Sequence, residues 1–373
     1  PPEADRVGDL PHPRETTALA GQSAAEAAFL ASWASGRLHH AWLLTGPRGV
    51  GKATLAYRIA RRRLAETDEA GLFGAPIPPE TLDLDPDDPV ARRVAAGSEP
   101  RLFVLRREAD AKTGKLSQQI RVGDARRLKS FLQLSAADGG WRTVVVDAAE
   151  DMNDAAANAI LKLLEEPPAK VLLLLISHAP ARLLPTIRSR CRVLKLASLD
   201  AADLAAALAG AGVEAGGADE IGPLSLLAGG AAGEAARLVA LGGVTTYRRL
   251  VRLVAGAPGM DRREMIALAE SCAGRDKAEV YDMTLRLIDI LLSRMARAGA
   301  LGPPGSAAAP DEARLFAELA HGSDAARVWA DLSPRIGALG AGARAVNLDP
   351  AQVMLDIFLE IDATARLTRA RPA

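Results

Sequence analysis

The sequence of 373 residues is poor in cysteine, in aromatic side chains and in net charge. Its two cysteines, Cys191 and Cys272, exclude a disulfide scaffold and a cysteine-rich zinc site, and they fit a reducing cytosol. Aromatic residues make up only 3%, and alanine takes their place, which favours closely packed helices. The 46 Lys and Arg residues balance the 46 Asp and Glu residues. A protein that grips nucleic acid alone is normally basic, so we expect any DNA contact to be local or shared with partners.

Long apolar segments are missing as well. The longest strongly apolar run, residues 171–176, is far shorter than the roughly 20 residues that a membrane-spanning helix needs. The first residues lack the apolar core of a signal peptide. We therefore expect a soluble, cytoplasmic protein without membrane contact.

Short apolar runs separated by helical patterns predict an α/β domain with a parallel sheet flanked by helices. The predicted strands are residues 41–45, 102–105, 143–147, 171–177 and 193–196. A first helix is expected from Gln22 to Gly36, with Ser23 as its cap. Residues 67–100 are rich in proline and acidic side chains, and we expect them to be a loop or insertion outside the core.

Strand patterns end near residue 198. Short Ala- and Leu-rich helical segments joined by glycines follow to about residue 243, and longer amphipathic helices follow those. We therefore predict three domains: residues 1–197 with the sheet, a small helical module at 198–243, and an all-α domain at 244–373.

A phosphate-binding P-loop is predicted at residues 46–52, where GPRGVGK follows a predicted strand and opens a predicted helix. The glycines let backbone N–H groups surround phosphate oxygens, and Lys52 neutralises the terminal phosphates. A chance glycine-rich turn is the less favoured alternative. The predicted nucleotide-binding residues here are Gly46, Pro47, Gly49, Val50, Gly51, Lys52, Ala53 and Thr54.

The metal side of this site is altered. The residue after Lys52 should be Ser or Thr, whose hydroxyl holds Mg²⁺, but it is Ala53. Thr54 supplies a hydroxyl one residue later, which is about 100° further round the helix. Asp147 ends its predicted strand and is the natural second Mg²⁺ ligand, although a helix-capping role is an alternative.

Three sequence blocks resemble those of bacterial DNA polymerase III clamp-loader subunits, which belong to the AAA+ superfamily. The blocks HHAWLLTGPRGVGKATLA, NAILKLLEEPP and PTIRSRC occur in this order between residues 39 and 191. The resemblance implies an AAA+ P-loop domain, a helical lid at 198–243 and a helical collar at 244–373 that holds subunits in a ring. It also implies gamma/tau and delta subunits as partners in a hetero-pentamer, and action on a sliding clamp and primer–template DNA.

Within this family, the resemblance is closer to a stator subunit than to the ATP-hydrolysing gamma/tau subunits. In the latter, Thr follows the P-loop Lys and Glu follows the strand-end Asp, whereas this chain has Ala53 and Ala148. Glu150 and Asp151 come next, but their shift along the chain is expected to point both carboxylates elsewhere. The resemblance thus implies bound ATP or ADP with weak or absent Mg²⁺, and little ATPase activity. No zinc is expected, because the four-cysteine module of many relatives is missing.

Two other readings stay open at this point. In the first, the chain is a catalytically active AAA+ ATPase of the motor or DNA-repair type. In the second, it is a structural subunit that binds no nucleotide. The three defects expected at the nucleotide site argue against the active ATPase: Ala53, Ala148 and the lack of a second sensor arginine at Gly233 or Glu234.

The resemblance places the catalytic contribution at Arg190. In the Ser-Arg-Cys motif it would be an arginine finger that reaches the ATP of a neighbouring subunit, in a role that suits a permanently charged, forked side chain. In the alternative, Arg188, Arg190 and Arg192 alternate along an extended segment and form only a solvated basic edge. Ser177 matches the residue that senses the terminal phosphate, or else it is an ordinary strand-end serine.

Overall fold

The computed structural model describes residues 3–6, 8, 10–66, 78–109, 114–133, 140–274, 276–345 and 348–369. The chain forms two compact units, one of residues 1–213 with 230–234 and one of residues 214–229 with 235–373. This division does not separate 198–243 from 244–373, so the three-domain organisation stays a prediction. Within the described ranges, no helix combines the length and the apolar character that crossing a membrane requires.

The first unit is built on a five-stranded parallel sheet in the order β2-β3-β4-β1-β5. Its strands are β1 (Ala41–Thr45), β2 (Leu102–Arg106), β3 (Arg142–Asp147), β4 (Val171–Ser177) and β5 (Arg192–Lys195). Its helices are α1 (Ser23–Ala34), α2 (Lys52–Ala65), α3 (Pro89–Ala95), α4 (Val122–Gln133), α5 (Asp154–Glu165), α6 (Pro185–Arg188) and α7 (Ala201–Gly210). The predicted α/β fold with a parallel sheet is therefore confirmed.

Successive strand residues face opposite sides of the sheet, and both sides are buried. Trp42 and Leu44 pack into an apolar cluster with residues of α1 and α2. Ala41 and Leu43, on the same strand, pack into a second cluster with residues of α4 and α5. This two-sided burial explains why the strands read as continuous apolar runs in the sequence.

Two local expectations are wrong. The region 67–100 is not all loop outside the core, because residues 89–95 form α3, whose Val90 and Val94 are buried against α2. Asp88 begins this helix by accepting hydrogen bonds from the backbone of Val90 and Ala91, and a proline in the first turn suits that start. Residues 67–77 of the same region lie outside the described ranges.

The second correction concerns α1, whose cap residue is Gln22 rather than Ser23. The Gln22 side chain makes no capping bond to its own helix. It is buried and bonds elsewhere, as described for the functional site below.

The second unit consists of helices. They are α8 (Ala218–Ala228), α9 (Ala232–Ala240, which begins in the first unit), α10 (Gly243–Ala255), α11 (Arg262–Ser271), α12 (Ala278–Leu301), α13 (Glu312–Leu319), α14 (Gly322–Ala345) and α15 (Pro350–Thr368). The long helices α12 and α14 pack along each other, and α15 packs on α11 and α14. Asp349 caps α15 by accepting a hydrogen bond from the backbone N–H of Ala351, and Pro350 occupies the first turn.

One buried carboxylate ties several helices of this unit together. Glu312, 1% exposed, accepts hydrogen bonds from the hydroxyl of Tyr247 and the backbone N–H of Ala308. It also forms a two-point ion pair with Arg294, at 3.0 Å from Nε and 2.9 Å from Nη2. Such a buried pair is costly to break, because the remaining partner loses its counter-charge without regaining water.

We predict that Glu312→Ala lowers the free energy of unfolding by about 3 kcal/mol or more, since it leaves Arg294 and Tyr247 without their acceptor. Urea unfolding followed by circular dichroism measures the change. Glu318→Ala is the matched control, because Glu318 lies on the same helix but pairs with Arg314 at an exposed site. An equal loss in both variants would contradict the importance of the buried pair.

Candidate functional site

The carboxyl ends of three neighbouring strands bring the predicted site together. Thr45, the last residue of β1, lies opposite Ser177, the last residue of β4, and Asp147 at the end of β3 lies opposite Ile176. The P-loop follows Thr45 directly, so residues 46–52, Asp147 and Ser177 share this edge. Ligands of parallel α/β sheets bind outside such carboxyl ends.

The P-loop has the backbone that its glycines were expected to provide. Gly51 has φ 99°, which L side chains rarely adopt, and a Cβ there would lie 2.5 Å from Leu19 Cδ1. At Gly49, with φ 83°, a Cβ would lie 3.2 Å from the backbone nitrogen of Glu234. The loop is therefore closely surrounded by its own chain, and these glycines cannot be replaced without strain.

Lys52 is buried inside this loop. Its Nζ donates hydrogen bonds to the carbonyl oxygens of Gly46, at 2.7 Å, and of Pro47, at 2.6 Å. Burial lowers the pKa of Lys52 to about 8, although the nearby carboxylates of Asp147 and Glu150 favour the charged form. The ammonium thus stays largely protonated at neutral pH and is held by the loop itself.

Asp147 lies in an unfavourable place for a negative charge. Burial raises its pKa to about 7, and the carboxylates of Asp5 and Glu150 add to the effect, while Lys52 opposes it. Asp5 belongs to an N-terminal segment that is fastened by Arg106 and by the fully buried His12. Burial therefore favours the protonated form of the Asp147 carboxyl, which weakens this residue as a metal ligand.

Three contacts around the P-loop could not be read from the sequence. Gln22 donates to the carbonyl oxygens of Val50, at 3.2 Å, and of Ala197, at 2.8 Å, so it ties the loop to the chain after β5. Gly233 donates from its backbone N–H to the carbonyl of Gly49 at 3.1 Å. A backbone contact therefore reaches the P-loop from Gly233, one of the two positions where the resemblance implied a second sensor arginine.

Glu150 was expected to point away from the site, and this expectation is wrong. Its side chain is fully buried at the carboxyl end of β4, where Oε1 accepts hydrogen bonds from the backbone of His178 at 2.9 Å and Ala179 at 3.0 Å. For Asp151 the expectation holds, because that carboxylate pairs with Arg107 at 2.9 Å. The spacing from Asp147 therefore misplaced Glu150, whose carboxylate binds the backbone that follows β4.

Ala53 and Thr54 lie on the first turn of α2 and are half-buried. The methyl group of Ala53 packs against the apolar cluster beneath the helix. A methyl group supplies no metal ligand, and burial disfavours the charged form of Asp147, so the donor set fits Mg²⁺ poorly. Within the described part of the chain, no three His, Cys, Asp or Glu side chains come together as a metal site would require. The expected lack of zinc stays a prediction.

Arg190 lies in a turn immediately after α6, with its side chain 37% exposed. Its Nη1 donates to the carbonyl of Thr186 at 3.1 Å, and its Nη2 pairs with Glu165 at 2.9 Å. The guanidinium is therefore held at the surface by two contacts of its own chain.

The three arginines of this segment do not form one extended basic edge. Arg188 ends α6 and is exposed, while Arg192 begins β5, donates to Ser32 at 2.9 Å and lies over the ring of Trp42. The alternative of alternating arginines on an extended segment is therefore wrong. Burial raises the pKa of the neighbouring Cys191 thiol to about 12, which fits a packing role rather than a nucleophile.

Part of the chain is similar to known subunits of DNA polymerase III. Residues 21–200 match the family model described as DNA polymerase III, delta subunit. Relatives include the DNA polymerase III subunit delta' of Pseudomonas aeruginosa, 42% identical over 153 residues, which are 41% of each chain. The Escherichia coli subunit delta' is 34% identical over 45% of this chain and 46% of its own. The tau subunit of Salmonella typhimurium is 32% identical over 50% of this chain and 26% of its own.

Over the matched residues the chain is therefore related to DNA polymerase III subunits of the clamp-loader type. Residues 21–200, just under half of the chain, are similar to the DNA polymerase III subunit delta' of these bacteria. The matched segment spans less than half the length of the delta-prime relatives.

Solved structures resemble the chain more weakly. A gamma subunit-related protein of Thermotoga maritima covers 88% of this chain and 96% of its own, at 16% identity and a TM-score of 0.36. The RuvB Holliday junction branch migration motor of Thermotoga maritima covers 95% and 91%, at 15% identity and a TM-score of 0.39.

The raised pKa of Asp147 predicts a pH-dependent effect of its replacement. The pKa of Asp147 is about 7 in the folded protein, against an ordinary value of 3.8. The folded state therefore binds this proton more tightly than the unfolded state. The resulting contribution to the free energy of unfolding is present at low pH and is lost as pH rises through 7. The wild type should therefore lose about 2–3 kcal/mol of its free energy of unfolding between pH 5 and pH 8 that Asp147→Asn does not lose. Urea unfolding at both pH values measures the difference, and a pH-independent difference would contradict the assignment.

Proposed function

We propose that the chain is a delta-prime stator subunit of a bacterial DNA polymerase III clamp loader. It works in the cytoplasm with gamma/tau and delta subunits in a hetero-pentamer, and it supports ATP-dependent loading of the sliding clamp onto primer–template DNA. Its lid at 198–243 and its collar at 244–373 hold it in the ring. Its place in the polymerase holoenzyme is that of a subunit rather than of an independent ATPase.

The observation that carries this proposal is the surface position of Arg190. The side chain is charged, partly exposed and oriented by Thr186 and Glu165, so it is available to a neighbouring subunit. An arginine finger stabilises the charge that develops on the transferred phosphoryl group. The family relationship of residues 21–200 supports a partner with an ATP site to receive it.

The chain's own pocket is proposed to bind ATP or ADP, with weak or absent Mg²⁺, and without zinc. Lys52, the P-loop backbone, Asp147 and Ser177 lie at one edge of the sheet, which supports retained phosphate binding. Ala53 and Ala148 occupy the positions of the hydroxyl and the glutamate that hydrolysis requires. These features favour a bound nucleotide that turns over slowly or not at all.

The finger is tested by Arg190→Ala in the complex reconstituted with gamma/tau and delta subunits. We expect hydrolysis at the adjacent ATP site to slow by roughly 10³-fold. The amplitude of the pre-steady-state burst of ATP hydrolysis is measured with clamp and primed DNA. It should fall by one ATP per complex, because one ATP site no longer contributes.

Arg188→Ala is the matched control, because Arg188 is an exposed arginine two residues away at the end of α6. Arg190→Lys adds a second control, since it keeps the charge but lacks the fork. An unchanged burst in Arg190→Ala, or an equal loss in Arg188→Ala, would show that Arg190 is not a finger.

The isolated chain is expected to hydrolyse ATP at least ~100-fold more slowly than a gamma/tau subunit, because both metal and water positioning are impaired. Steady-state phosphate release from the purified chain measures this rate. The same preparation of Lys52→Ala controls for contaminating ATPase. Turnover at a motor subunit's rate would support the active-ATPase alternative instead.

A further inference from the structure

A cavity in the first unit is lined by two buried arginines of α2. Its volume is about 120 Å³, and its walls come from residues 15 and 17, from α2, from residues 82–86 and from α3. Arg58 and Arg61 are three residues apart, so their side chains lie on the same side of the helix. The two residues are only 6% and 5% exposed. This cavity is separate from the nucleotide site, with which its lining shares no residue.

Arg58 has its charge balanced. Its Nε lies 2.9 Å from the carboxylate of Glu26, and its Nη2 lies 2.9 Å from the carboxylate of Asp83. Its Nη1 donates to the carbonyl oxygen of Thr17. All three nitrogens are therefore bonded, and two of their partners are negatively charged.

Arg61 has hydrogen bonds but no counter-charge. Its Nη1 donates to the carbonyl oxygen of Arg14 at 2.8 Å, and its Nη2 donates to that of Thr16 at 2.7 Å. Among the residues that the structure describes, no carboxylate pairs with this guanidinium, and its Nε has no hydrogen-bond partner. Burial lowers the pKa of Arg61 to about 10, and the neighbouring charge of Arg58 adds to this effect.

The two carboxylates in the cavity wall are engaged elsewhere. Glu15 accepts a hydrogen bond from the backbone N–H of His12 at 3.1 Å. Asp83 pairs with Arg58, and its side chain is 74% exposed. The charge of Arg61 therefore lacks the compensation that a buried ion normally has.

A purely structural role does not account for this charge. The two carbonyl contacts of Arg61 fasten residues 14–16 to α2. They satisfy two donors of the guanidinium, which has five N–H groups, but a neutral carbonyl supplies no full negative charge. Fastening thus explains where Arg61 lies and leaves both its charge and its remaining donors unexplained.

The size of the cavity limits the ligand that could compensate this charge. One water molecule needs about 10–15 Å³, whereas pockets for drug-sized ligands have about 300–1,000 Å³. A volume of about 120 Å³ therefore admits a small ion and excludes a nucleotide. Guanidinium groups bind phosphate particularly well, because their fork of N–H groups contacts two oxygens of the same group.

We propose that this cavity is a binding site for a free phosphate-type oxyanion, which compensates the buried charge of Arg61. The anion accepts hydrogen bonds from the unused N–H groups of Arg61, and Arg58 adds a second positive charge to the same wall. The site goes beyond the proposed function, because it is separate from the P-loop and its ligand is not a nucleotide.

The test measures binding of inorganic phosphate to the full chain by calorimetry, with chloride at the same ionic strength as the reference. All proteins carry Lys52→Ala, because the P-loop is itself a phosphate site. Adding Arg61→Gln removes the charge but keeps a donor for one carbonyl. We expect the affinity for phosphate to fall roughly tenfold or more, as the loss of a charged hydrogen bond should. Phosphate should also raise the Tm of the Lys52→Ala chain but not that of the double variant.

Two further variants make the result specific. Arg92→Gln is the matched control, because Arg92 lies on α3 and pairs with Asp87 at an exposed site, so phosphate binding should persist. Ala95→Leu narrows the cavity without changing either buried arginine, and it should weaken phosphate binding. Circular dichroism checks that each variant is folded, and Ala95→Leu decides the question if Arg61→Gln is not.

Three outcomes would overturn the inference: no phosphate binding by the Lys52→Ala chain, an affinity that survives these changes to the cavity, or an equal loss in Arg92→Gln. None of them affects the proposed nucleotide site or the stator function. Those are decided by ATP hydrolysis, which involves neither Arg61 nor the cavity.

Discussion

The buried ammonium of Lys52 is the interaction on which this site depends. A lysine inside a domain is stable only if its three donors and its charge find partners. The P-loop supplies two carbonyl oxygens, and the carboxylates of Asp147, at the end of β3, and of Glu150, which follows it, favour the charged form of Lys52. The parallel sheet makes this possible, because it aligns the ends of strands that are distant in sequence. What the pocket can bind follows from the same charge balance.

Much of the first unit could be predicted because its signals are local. Each strand is a short apolar run, and the P-loop is recognised by seven consecutive residues between a strand and a helix. Composition gave a wrong prediction in the region 67–100, where two local signals favour different structures. Prolines and acidic residues predicted a loop at 67–100, yet Asp88 and Pro89 are also a favourable helix start, and the apolar side of α3 is buried on α2.

The finer structure of the site could not be predicted, because it depends on contacts between distant segments. Nothing in the sequence marks Gln22 as the residue that joins the P-loop to Ala197. The role of Glu150 likewise depends on the path of the chain after β4, which presents two backbone N–H groups to one carboxylate. Spacing from Asp147 alone favours the opposite conclusion.

Alanine at positions 53 and 148 is compatible with a stable fold for a physical reason. Ala53 packs on the apolar cluster beneath α2, and Ala148 is only 6% exposed. A hydroxyl or carboxylate at these positions would have to be satisfied by a metal ion, a water molecule or the nucleotide. A methyl group needs no partner and keeps the packing. The P-loop architecture is therefore stable with alanine at both of these positions.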